Sequence, residues 1–152
     1  MGAAMNHALL LVQVDGTPGS PPRGVAGIGV VVRGPRGNLI CTRCLQAPAA
    51  TNHEAEYQAV IAGLHLMLTR YPGVAVRCMS DSQVVVNQLC GRAAVRAEGV
   101  RRLFEQARAL CARLSALELI AIPRELNRVA DALAWEALGG RRAIVGFCRQ
   151  RV

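Results

Sequence analysis

Apolar residues open this chain in three short runs separated by turn residues. The first, 8-ALLLVQV-14, stops at Asp15-Gly16, a dipeptide that favours turns. A loop rich in Pro and Gly, 17-TPGSPPRG-24, leads to 25-VAGIGVVVR-33, and 34-GPRG-37 is a hairpin signal before the return run 38–46. Three strands in a meander are therefore expected. From Thr51 the apolar spacing lengthens to that of helices. Thr51 followed by Glu54 is a capping box that opens a helix over 52–71, and Pro72-Gly73 ends it. A strand over 74–79 reaches Ser80-Asp81-Ser82, and a short helix over 83–89 closes at Gly91. A longer helix over 98–116 carries Val100, Leu103, Phe104, Ala107, Leu110, Cys111 and Leu114 at helical spacing. A strand over 117–122 is halted by Pro123, and 127-NRVADALAWEAL-138 is an amphipathic helix closed by Gly139-Gly140.

Meander first, alternating strands and helices afterwards: this order implies an α/β domain, a mixed sheet covered by helices. One domain over 1–140 accounts for it. The remaining 141–152 forms a basic tail with room for one short edge strand. No apolar run approaches the ~20 residues of a membrane span, and no basic segment precedes the run at 8–14. The opening Met-Gly lacks a Ser or Thr at position 6. A cytoplasmic monomer is the expectation. All 18 basic residues are arginine, and against 10 acidic ones they leave a net charge of +8. That excess favours a polyanionic partner. Cys41-x-x-Cys44 has zinc-like spacing, but residues three apart on a strand face opposite ways, so reduced core thiols are expected instead.

The chain has only three aspartates. Asp15 follows the first strand and Asp81 the fourth. If those strands are parallel neighbours, both carboxylates emerge at one sheet edge, where open α/β folds place ligands. Glu56 shares a helix face with Val60, Gly63, Leu64 and Met67, so it points inward. Asp131 lies one helical turn before Trp135, beside apolar residues that should pack. Each has an ordinary alternative: turn residue, helix cap, helix-dipole partner, arginine partner. Four such coincidences at one edge are improbable together. At ~4 Å and an effective dielectric near 20, a like-charge pair costs ~4 kcal/mol. Hard divalent cations would relieve this, and oxygen-only donors suit Mg²⁺ or Mn²⁺ rather than zinc.

With these motifs in view, Val14-Asp15-Gly16, Thr51-Asn52-x-x-Ala55-Glu56-Tyr57, Ser80-Asp81-Ser82-Gln83 and Arg124-Glu125-x-Asn127-x-x-Ala130-Asp131 resemble the type 1 ribonuclease H family from about residue 8 to 138. The resemblance implies a five-stranded mixed sheet of order 3-2-1-4-5. It implies an endonuclease that cuts the RNA strand of RNA–DNA hybrids with two metal ions, leaving 3′-hydroxyl and 5′-phosphate ends. Asp15 would bridge both ions, Glu56 and Asp81 would complete the leaving-group site, and Asp131 would serve the ion beside the attacking water. Gly16, Asn52, His53 and Gln83 match substrate-facing positions. Arg124 and Glu125 stand where many bacterial members carry a histidine, and His53 stands where Asn or Gln is usual. The segment 92–97 leaves no room for the basic protrusion of some relatives. Two other readings fit the same residues, a non-catalytic nucleic-acid-binding module and a nuclease acting mainly on double-stranded RNA.

Overall fold

The computed structural model describes residues 8–19 and 21–139. Strands β1 (Leu9–Thr17), β2 (Val25–Arg33), β3 (Leu39–Pro48), β4 (Ala75–Ser80) and β5 (Leu117–Ala121) form one sheet in the order β3-β2-β1-β4-β5. The β1–β2 and β2–β3 pairs are antiparallel, and β1–β4 and β4–β5 are parallel. Helices α1 (Asn52–Arg70), α2 (Gln83–Leu89), α3 (Glu98–Arg113) and α4 (Arg128–Ala137) cover it. The expected mixed sheet and its order are both present.

Strand alternation decides which helix lies on which face. On β1 and β2 the residues Leu10, Val12, Val14, Ile28, Val30 and Val32 pack with Val60, Leu64 and Met67 of α1, and α3 adds Val100, Leu103 and Ala107. Between them in sequence, Val31 packs on the other face against Ala130 and Leu133 of α4. On that face α4 sits unusually close, because Gly27 and Gly29 have no side chains. A Cβ at either would collide with the α4 backbone at Ala134 or Ala130. The two cysteines of the 41–44 pair divide between these faces. The Cys41 thiol lies 3.5 Å from the Tyr71 hydroxyl, and Cys44 donates to the Leu133 carbonyl on α4 at 3.1 Å. Thiols on opposite faces are poorly placed to ligate one ion.

Several boundaries differ from expectation. Asp15-Gly16 is no turn: the ladder continues, pairing Asp15 with Gly29, Gly16 with Ile28 and Thr17 with Gly27. Because β2 begins only at Val25, β1 runs on to Thr17 and Asp15 remains inside the sheet. Helix α3 ends at Arg113, where Leu114 turns extended. A short 3-10 turn, Arg124–Leu126, precedes α4. Residues 141–152, with their suggested edge strand, fall outside the described residues.

Candidate active site

Asp15 lies one residue past Val14, which pairs with Ser80 at the end of the β1–β4 ladder, and Asp81 follows Ser80 directly. Two parallel neighbours thus deliver two carboxylates to one edge. Asp81 is released from capping duty because Ser82 caps α2, accepting from the Val85 amide. Asp131 arrives from α4. Gly29 lies opposite Asp15 in the ladder and lets the helix approach, so the Asp15 and Asp131 carboxyls hydrogen-bond to each other. Glu56 arrives from the first turns of α1. Its two oxygens accept from the Asn52 amide at 3.2 Å and from the Ser82 hydroxyl at 2.7 Å.

The electrostatics follow from this crowding. Asp15, 8% exposed, has its pKa pushed up to about 9, first by burial, then by the charge of Asp81 and by Asp131 as hydrogen-bond partner and charge. At neutral pH it holds a proton. Burial also raises Glu56, with Asp81 adding to it, while the Ser82 hydroxyl, His53 and Arg124 pull it down. Asp81 is raised by burial and by Asp131, against a hydrogen bond from Asn127 and the charge of Arg124. Each carboxylate is therefore coupled to at least one other, and Arg124 acts on two of them. Glu125, on the same turn, is exposed and makes no hydrogen bond to them.

Among the described residues no three His, Cys, Asp or Glu side chains converge tightly enough to enclose an ion. The donor set nevertheless fits a hard divalent cation. It consists of oxygen atoms alone; Asp15 is neutralised by a proton, while Arg124 supplies positive charge to Glu56 and Asp81. An ion that keeps waters and phosphate oxygens in its shell needs no closed protein cage.

Around the carboxylates the other expected contacts divide. Asn52 and Gln83 are exposed at the starts of α1 and α2, and the Gln83 amide donates to Asn87 at 3.1 Å. His53 is half-buried; its Nε2 lies 3.2 Å from Gln88 Oε1, and its ring sits 5.4 Å from Tyr57. A Cβ on Gly16 would strike the Ala55 carbonyl, so packing of α1 already requires glycine there. Two residues escaped the sequence reading. The sequence reading gives Ser82 no role of its own and offers the cap to Asp81, yet the Ser82 hydroxyl both caps α2 and holds Glu56. Asn127 occupies the N-cap position of α4 but makes no side-chain cap; its amide donates instead to the Val14 carbonyl at 2.9 Å.

A meander-plus-crossover sheet with acidic residues gathered at the β1–β4 edge defines a ribonuclease H-like domain. Residues 13–137 match the family model described as reverse transcriptase-like. The structure is similar to RNase H1 from the halophilic archaeon Halobacterium salinarum, at TM-score 0.80 and 30% identity, covering 86% of this chain and 98% of that one. It is similar to the N-terminal RNase H domain of Rv2228c from Mycobacterium tuberculosis, at TM-score 0.78 and 30% identity, covering 87% and 94%. It is also similar to LC11-RNase H1 in complex with RNA/DNA hybrid, at TM-score 0.77 and 28% identity, covering 86% and 96%. The chain belongs to the type 1 ribonuclease H family. It spans 35% of the bifunctional protein Rv2228c, matched at 32% identity, and 61% of the curated Halobacterium salinarum ribonuclease HI, matched at 34%. No helix among the described residues is long and apolar enough to cross a membrane.

Proposed function

We propose that this chain is a metal-dependent endonuclease that hydrolyses the RNA strand of RNA–DNA hybrids, leaving 3′-hydroxyl and 5′-phosphate ends. The observation that carries the reading is the hydrogen-bonded Asp15–Asp131 pair, tied electrostatically to Asp81 and through it to Glu56. Four carboxyl groups crowded at a sheet edge destabilise a fold and have no structural task that alanine or asparagine could not fill.

Asp15, Glu56, Asp81 and Asp131 would hold two divalent ions, Mg²⁺ or Mn²⁺. Such ions supply charge stabilisation for both the attacking and the leaving oxygen of a phosphoryl displacement. The chain does the rest. Asp15 would have to release its proton to serve as a ligand, and Ser82 and Asn52 each hold one oxygen of Glu56. Arg124 offsets negative charge at Glu56 and Asp81. Water's oxygen would bond to phosphorus and lose a proton to solvent as the P–O3′ bond breaks and the 3′-oxygen takes a proton from solvent. Asn52, His53 and Gln83 line the approach from the helix starts. Small amide and imidazole groups there suit a wide, shallow minor groove displaying 2′-hydroxyls.

The test is direct. Labelled RNA–DNA hybrid, duplex RNA and duplex DNA are incubated with Mg²⁺, Mn²⁺ or EDTA. Cleavage of hybrid RNA alone, only with metal, is expected. Duplex RNA cut faster than hybrid would reassign the substrate, and binding without cleavage under every metal condition would reduce the chain to a binding module.

A further inference from the structure

Asn127 belongs to none of the roles above, yet it is hydrogen-bonded to Asp81, to Asp131, to the Arg124 turn and to the residue before Asp15. It is 1% exposed. Its amide donates to the carbonyl of Val14, the residue before Asp15, at 2.9 Å, and hydrogen-bonds Asp81. Its own carbonyl accepts the Asp131 amide at 3.0 Å, and its own amide N–H closes the turn on Arg124, also at 3.0 Å. One residue thus connects β1, the end of β4, the Arg124 turn and the start of α4. Its side-chain Oδ1 is buried with no hydrogen-bond partner. A leucine would fill the same space without that cost, and although Asn is as good an N-cap residue as Ser or Asp, this side chain makes no cap hydrogen bond. The residue is explained by its two amide hydrogens.

We propose that Asn127 is a positioning residue: its amide fixes the ends of β1 and β4 against α4, and so sets how tightly the carboxylates bind divalent cations. This rests on the metal-dependent reading above. Removing groups that orient metal ligands typically costs about 10–100-fold in affinity or activity. The fold supplies its own control. The Gln13 amide donates to the Leu126 carbonyl at 2.8 Å and is steadied by Arg33 at 3.1 Å. It pins the same turn to β1 from the next residue along, and it hydrogen-bonds none of the carboxylates.

Isothermal titration of Mn²⁺ into the full chain, without substrate, tests this. Asn127→Leu and the smaller, readily accommodated Asn127→Ser should each weaken Mn²⁺ binding about 10–100-fold. Gln13→Leu should stay within about twofold, and hybrid affinity in EDTA should be unchanged in all three. If Asn127→Ser binds Mn²⁺ as the parent chain does and loses only thermal stability, Asn127 is a structural staple and the proposal falls. A parent chain that binds Mn²⁺ and cleaves hybrid, beside an Asn127→Ser that does both equally well, sinks this inference alone. A parent chain that does neither sinks the functional reading with it.

Discussion

Asp15 shows how a single side chain carries a conflict between stability and chemistry. Its folded pKa of about 9 stands far above its ordinary value of 3.8. The stability it contributes is complete below about pH 4 and is lost as pH rises toward 9. The chain in EDTA should therefore melt at lower temperature at pH 8 than at pH 5, and Mg²⁺ at a hundredfold over its Kd should return about 2.7 kcal/mol at pH 8. Melting curves that neither fall with pH nor recover with metal would contradict the shared-proton picture. Asp15→Asn keeps the size and the hydrogen bond to Asp131 and removes the ionisation. Its Tm in EDTA at pH 8 should rise by roughly 2–4 °C per kcal/mol relieved, while hydrolysis falls more than about 10³-fold. Retained cleavage would end the assignment of Asp15. The four carboxylates were legible in the sequence because each sat where packing had no use for a charge. The backbone at Asp15 was not legible. Asp-Gly is a turn signal, and only the late start of β2 keeps the ladder running through it. Asn127 was hidden for another reason: its partner Val14 is 113 residues away, beyond any local pattern.

At the scale of elements, the site depends on how close α4 comes to β2. Gly27 and Gly29 set that distance, and a methyl group at Gly29 would meet the Ala130 carbonyl next to Asp131. Gly29→Ala should cost about 1–3 kcal/mol through overpacking. Because a displacement near 1 Å can cost roughly 10²-fold in rate, activity should fall further than folded fraction does. A variant that melts lower but cleaves at the parent rate would separate helix distance from catalysis. Periodicity found the five strands and four helices of the described residues, since each apolar run matched one period over several residues. It missed the 3-10 turn before α4 because three residues are too few to show a period, and Arg124, which faces Glu56 and Asp81, sits on that turn.

The whole molecule adds charge and topology. A net charge of +8, all from arginine, should make hybrid binding fall at least about tenfold between 50 and 200 mM salt; fluorescence anisotropy with labelled hybrid measures it, and a flat response would deny electrostatic gripping. The α/β class could be read from the order of elements. The strand order came from the family resemblance, because nothing in a strand's own residues names its neighbours. The placement of β1 between β2 and β4 has a consequence for how the molecule opens. With both edges paired, the β1 amides should exchange for deuterium only when the domain comes apart as a unit, whereas the exposed Arg23 and Gly24 should exchange through small local openings. Asp15 is thereby anchored to the last part of the protein to let go, so its place changes only if the helices that bring Glu56 and Asp131 move around it.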